Sequence, residues 1–256
     1  MSSPTAFDHR HLHVHGTSPI HRLAPEAKLL GLLGFVITVA VTPRQWVIAF
    51  AIDGTVLLSV FVVARLTPRL VLGRLAAILP FVAFAFLLPF VGDGETTSVL
   101  EINLSIDGLW ASWNVLAKAT LGAAASIVVT ATTPIPELLA GLSRLRVPAA
   151  VVAIIGFMFR YLDLMVDEFG RMRRAMAARV FNPRWLWQSR PLASSAGALF
   201  VRTYERGERV HNAMVARGFT GTMPTFSEAS TTRRDWLLAA IPSVAAVVGL
   251  TIVGLT

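Results

Sequence analysis

Five long apolar runs, near residues 26–42, 46–64, 74–91, 112–132 and 236–255, decide what this chain can fold into. About 20 residues of helix, rising 1.5 Å each, cross a hydrocarbon core roughly 30 Å thick. The 256-residue chain is 54% hydrophobic and only 15% charged, which is too apolar for an average soluble domain. The expected fold is therefore an all-α polytopic membrane protein.

Loop charge sets the expected orientation. Residues 65–74 carry Arg65, Arg69 and Arg74, and 134–235 is strongly basic, whereas 92–111 carries Asp93, Glu95, Glu101 and Asp107 with no Lys or Arg. Basic loops stay in the cytoplasm, which puts the N-terminus inside the cell membrane and the C-terminus outside it. Arg44, in a short outer turn, is the one residue against the rule. The same distribution accounts for the net charge of +8 without a nucleic acid partner. Cysteine is absent, so neither disulfide nor thiolate chemistry is open to the chain.

Residues 1–25 form a polar cytoplasmic arm with no basic-then-apolar leader. His9, His11, His13 and His15 alternate in it, and in an extended segment such residues share a face, which makes them weak candidate metal ligands. A plain unstructured tail is the simpler account, and no resident cofactor is expected. Pro25 suits the first turn of the first span. The four-helix transmembrane region follows, over 26–133. Two charges fall about 10 Å deep within it by helical rise, Asp53 in the second span and Lys118 in the fourth. An isolated ion there is costly, so the two are expected to face inward and pair. Ala119, Gly122, Ala123 and Ser126 form a candidate close-packing face.

From 134 to 235 the texture changes to a cytoplasmic region with two amphipathic helices, about 149–181 and 191–218. Residues 149–159 are apolar but too few to cross unaided; if they begin a further span, the total is six rather than five. Met165, Phe169, Met172 and Met176 step by helical intervals, and Asp167 with Arg171 forms an i,i+4 pair. Asn182-Pro183 should stop the first helix, and Gly218 suits the position just past the second. Gly170 and Gly207 sit mid-helix, where glycine costs about 1 kcal/mol relative to alanine, so a helix crossing there is expected. The segment Ala175-Met176-Ala177-Ala178-Arg179-Val180-Phe181 recurs 38 residues later as Ala213-Met214-Val215-Ala216-Arg217-Gly218-Phe219. Small alanines admit another backbone, Met adapts to an irregular groove, and Arg offers a rigid donor fork for a carboxylate. One such tip is an ordinary helix end; two suit two similar sockets. The chain carries no G-x-x-x-x-G-K-[ST] loop, G-x-S-x-G or H-E-x-x-H, so it is not expected to be an enzyme.

The duplicated A-M-x-A-R-x-F resembles the paired Ala-Arg-Gly motifs of the transmembrane T component of energy-coupling factor (ECF) transporters. Ser18-Pro19-Ile20-His21-Arg22-Leu23-Ala24-Pro25-Glu26-Ala27-Lys28 and Thr132-Thr133-Pro134 resemble that family's cobalt/nickel branch. So do Phe159-Arg160-Tyr161, Arg202-x-Tyr204-Glu205-Arg206 and Arg217-Gly218-Phe219. The resemblance implies a subunit whose two long coupling helices grip two ATP-binding cassette ATPase subunits. It also implies a separate membrane substrate-binding subunit, and a small accessory membrane subunit in some members. Met176, Ala178, Arg179 and Val180, with Met214, Ala216, Arg217 and Gly218, are then the ATPase-coupling residues. Val180 departs from the motif's usual small residue, and since Val resists a left-handed conformation the first helix should run on to Asn182-Pro183. The expected cargo is cobalt or nickel, in support of cobalamin synthesis. Alternatives are a T component for a vitamin importer, a membrane-embedded metal-dependent enzyme using the histidine arm and Asp53, and a passive scaffold on anionic lipid.

Overall fold

The computed structural model describes residues 18–91, 96–99, 102–179, 181, 190–221 and 231–255. Its helices are α1 (Pro19–Arg22), α2 (Pro25–Val41), α3 (Val47–Ala64), α4 (Pro68–Leu75), α5 (Leu79–Val91), α6 (Ile106–Thr132), α7 (Ile135–Arg144), α8 (Ala149–Ala178), α9 (Arg190–Val215) and α10 (Arg233–Leu255). A single 3-10 turn, Ala76–Ile78, joins α4 to α5. Among the described residues, five helical segments are long and apolar enough to cross a membrane: Val47–Ala64, Pro68–Phe90, Ile106–Thr132, Ala149–Ala178 and Arg233–Gly254. α2, with 17 residues, is slightly shorter. The first eighteen residues of α8 contain only Arg160 and Asp163 as charges, so its apolar part is longer than 149–159.

Two boundaries differ from expectation for local reasons. α6 begins six residues early because Ser105 caps it, its hydroxyl accepting the Gly108 N–H at 3.2 Å, with Asp107 in the first turn. The acidic stretch before it contains β1 (Thr96–Val99) and β2 (Ile102–Ser105), paired antiparallel with Thr96 opposite Ser105 and Val99 opposite Ile102. The other elements among the described residues are helices.

The contacts divide the chain into two compact units, one holding Leu142–Phe226 and the other His11–Gly141 with Ser227–Thr256. In the second, a membrane bundle, α6 touches α2, α3, α4 and α5, and α10 lies on α2 and α3. Phe35, Val39, Phe50, Leu57, Ala124, Ala125, Val128 and Ala246 form its core. The packing face of α6 is thus Ala124, Ala125 and Val128 instead of Ala119, Gly122, Ala123 and Ser126; a methyl on Gly122 would meet nothing within 4 Å. Outward-facing Ile48, Val62, Phe86 and Leu237 are two-thirds exposed or more, a surface that suits lipid. α2 and α10 approach so closely that a Cβ on Gly31 would fall 2.4 Å from the Ala239 carbonyl oxygen, and Ser243 Oγ donates to Gly31 O at 2.8 Å.

The Ser18–Lys28 and Thr132-Thr133-Pro134 stretches come together at one point. Lys28 is buried, and its ammonium donates to His21 O (3.2 Å), Thr132 O (3.2 Å) and Thr133 Oγ1 (3.0 Å). Glu26, also buried, accepts from the Thr231 hydroxyl just ahead of α10.

Candidate functional site

α8 and α9 form the paired element of the other unit. Thr203 Oγ1 lies 3.0 Å from Met165 Sδ, Arg202 Nη1 donates to Glu168 Oε1 at 2.6 Å, and Ser195 Oγ lies 3.4 Å from Met176 Sδ. Positions rise along α8 as they fall along α9, so the two helices run antiparallel. The crossing obeys the repeat: Met165 and Thr203 are themselves 38 residues apart. Ser195 beside Met176 has its counterpart 38 residues away in Phe157 and Met214, which line one groove of about 680 Å³ together with Tyr161, Leu162, Val210 and Phe219. The pair therefore has an approximate local two-fold about Met165 and Thr203, which the Glu168–Arg202 ion pair does not obey, its counterparts being Arg206 and Leu164.

That symmetry sets the motif arginines at equal reach. Arg179 and Arg217 each lie 14 residues past the crossing, about 21 Å of helix at 1.5 Å per residue. The two ends are built alike. Phe181 N donates to Met176 O at 3.2 Å, and Phe219 N to Met214 O at 3.0 Å. In the second copy Gly218 N also donates to Val215 O at 2.9 Å, and Gly218 has φ +84°, the left-handed cap glycine takes without steric cost. In the first copy the helix ends at Ala178, with Arg179 as its cap at φ −90° and ψ 20°. The expected run-on to Asn182-Pro183 does not occur, because the reverse bond to Met176 O already closes the last turn. Val180 itself lies outside the described residues. Ala178, Arg179, Ala216, Arg217 and Gly218 are exposed, while Met176 and Met214 are half-buried beneath them. Among the described residues neither Arg179 nor Arg217 has an ion pair.

Glu168 is the charged pin of the crossing, just beyond the apolar part of α8. It binds Arg171 on its own helix and Arg202 on the other, where Asp167 was the expected partner of Arg171. The crossing is not at Gly170 and Gly207. A methyl on Gly207 would meet nothing within 4 Å and one on Gly170 only Arg174 of its own helix, so neither glycine serves a close approach.

The intramembrane pair does not form. Lys118 donates to Ala40 O at 2.7 Å, whereas Asp53 is buried with Oδ1 unpartnered. A lysine stem long enough to reach a helix-end carbonyl avoids the core altogether. Arg44 instead finds Asp107, at 2.9 Å, a partner that charge counting along the loops could not reveal. His9, His11, His13 and His15 lie outside the described residues. The role of Lys28 was also hidden in the sequence, since a lysine at the mouth of an apolar span resembles a boundary marker and its acceptors Thr132 and Thr133 lie more than a hundred residues away.

Residues 16–227 match the model of the CbiQ family of cobalt transport proteins, which is most of the chain. The chain belongs to that family. Among curated CbiQ-like relatives, a putative fused cobalt transport protein CbiMQ from Methanocorpusculum labreanum is 26% identical over 80% of this chain, which is 36% of the longer fused protein. The cobalt transport protein CbiQ of Rhodobacter capsulatus is 30% identical, covering 77% of this chain and 78% of its own. The energy-coupling factor transporter transmembrane protein EcfT of Bacillus subtilis is 26% identical over 82% and 83% respectively. Membership of the CbiQ family makes the chain a multi-pass membrane component of a transporter.

Proposed function

We propose that this chain is the energy-coupling T subunit of an ECF-type importer, most simply one for cobalt or nickel ions. The carrying observation is the pair of exposed arginine tips at equal distance from a symmetric crossing. Two like handles related by a local two-fold fit a dimer of ATPase subunits, each offering an acidic cleft. ATP binding draws the clefts together, the tips follow, and the bundle re-orients a membrane substrate-binding subunit, with a small accessory membrane subunit where one is present. Coupling works at all only if the pull differs between two states of the complex. The basic 134–235 region supports a cytoplasmic placement of both tips and the N-terminus, and an external C-terminus.

The cargo is selected by another chain, and the cobalt transport names among the relatives favour a metal ion, while the EcfT names specify no cargo and leave a vitamin as the alternative. Gentle extraction from native membranes, with identification of what accompanies the chain, tests the assembly. Two ATPase chains and a membrane subunit are expected, and an unaccompanied chain contradicts it. Uptake of labelled cobalt, nickel and vitamins by the same cells separates the two cargoes.

A further inference from the structure

The first turn of α2 carries two buried ionisable side chains, Glu26 at 2% exposure and Lys28 at 6%. Apolar residues of the same size would hold helices together at least as firmly as buried charges, so stability alone explains them poorly. Fixed geometry explains them better. All three Lys28 N–H groups are used, on α1, on the last residue of α6 and on the Thr133 hydroxyl beyond it. Gly141 of α7 lies so near that a Cβ there would fall 3.0 Å from both Glu26 N and Pro25 Cβ. Thr231 binds Glu26 from the opposite end of the chain. The order of these partners matters. Thr132 to Gly141 is the bundle's last stretch before the crossed pair, and Thr231 is its first described residue after it. Both chain connections to the pair are thus pinned to one helical turn.

We infer that this turn, with Lys28 and Glu26 as positioning residues, is the joint through which movement of the crossed pair enters the membrane bundle. The inference rests on the energy-coupling reading above. An ammonium held by three acceptors fixes direction as well as distance, so displacement of either connection turns α2 instead of sliding past it. α2 then carries α10 with it through the close Gly31–Ala239 contact and α6 through Thr132.

The test uses the whole complex in proteoliposomes, with ATP hydrolysis and uptake of radiolabelled cobalt(II) measured together. For Lys28→Met the complex assembles and hydrolyses ATP, while cobalt moved per ATP falls about fivefold or more, the lower end of typical coupling effects. Thr133→Val, which keeps the shape and removes one acceptor, lowers the same ratio by less. Where Lys28→Met fails to accumulate, Thr133→Val carries the test alone. A merely structural lysine lowers hydrolysis and uptake in equal proportion, and an unchanged ratio in both variants overturns the joint. Arg217→Glu separates the two levels. If it leaves ATPase association and uptake intact, the energy-coupling reading fails. If it dissociates the ATPases while Lys28→Met and Thr133→Val keep the wild-type ratio, that reading stands and the joint alone falls.

Discussion

α2 buries Pro25, Glu26, Ala27, Lys28, Phe35 and Val39, and α6 buries eight residues, whereas α8, longer than either, buries none among the described residues. α9 is similar, with Phe200 71% and Tyr204 60% exposed. The bundle is thus ordered by its own close packing, and the crossed pair is held by a few hydrogen bonds and one charged pin. Elements with few buried contacts open easily and gain order from what binds them. The difference teaches how each part is held together: the bundle keeps its shape through buried contacts, and the pair leaves most of its surface exposed, as the proposed coupling role requires.

The largest expected effect belongs to the pair. Arg217→Glu should remove an interfacial charge contact that in comparable interfaces contributes about 2–5 kcal/mol, weakening ATPase association by roughly 30-fold or more and abolishing uptake. Arg179→Glu should act alike. Normal co-purification and uptake in either variant would break the comparison at its functional end. Next comes the bundle. Gly31→Ala forces a methyl against the Ala239 carbonyl, and overpacking of this kind costs about 1–3 kcal/mol. Thermal unfolding in detergent should show it, and an unchanged midpoint would mean that the α2–α10 contact is looser than described. The same exchange in the pair should reverse sign: a Cβ on Gly207 meets nothing within 4 Å, so Gly207→Ala should stabilise by up to about 1 kcal/mol through helix propensity. Loss of stability there would reveal a close partner. Smallest of all, Glu168→Gln removes the ion pairs to Arg171 and Arg202, two arginines that are themselves exposed, and should lower the melting midpoint only slightly; a large drop would mean that the crossing holds itself together without a partner.

The spans were legible because hydropathy and length suffice for a helix that must cross lipid, and α3, α6 and α10 end where their apolar runs end. The tips were legible because a motif repeated at a fixed offset is improbable by chance, and Gly218 announces its own left-handed turn. Sequence could not say which faces meet. Lys118 turned to Ala40 and left Asp53 alone, since a residue's depth is visible in a sequence and its azimuth among five neighbours is not. Mid-helix Gly170 and Gly207 suggested a crossing that lies about a turn earlier, where Met165, Glu168, Arg202 and Thr203 supply adaptable or charged contacts and no glycine is needed. The hairpin Thr96–Ser105 was missed because its two short strands lie in a loop whose acidity dominated the reading. Lys28 was quoted as part of a motif without its purpose, because its acceptors Thr132 and Thr133 lie more than a hundred residues away.

The absence of native cysteine permits a direct probe of the central claim, that both tips are handles held from inside the cell. A single cysteine placed by Ala216→Cys, and in a separate variant by Ala178→Cys, is exposed to a membrane-impermeant thiol reagent in sealed vesicles of either orientation, with and without co-expressed ATPase subunits. The account predicts labelling only from the cytoplasmic face, and strong shielding at both positions once the ATPases are present. Labelling from the outer face, or equal labelling with and without them, would contradict it.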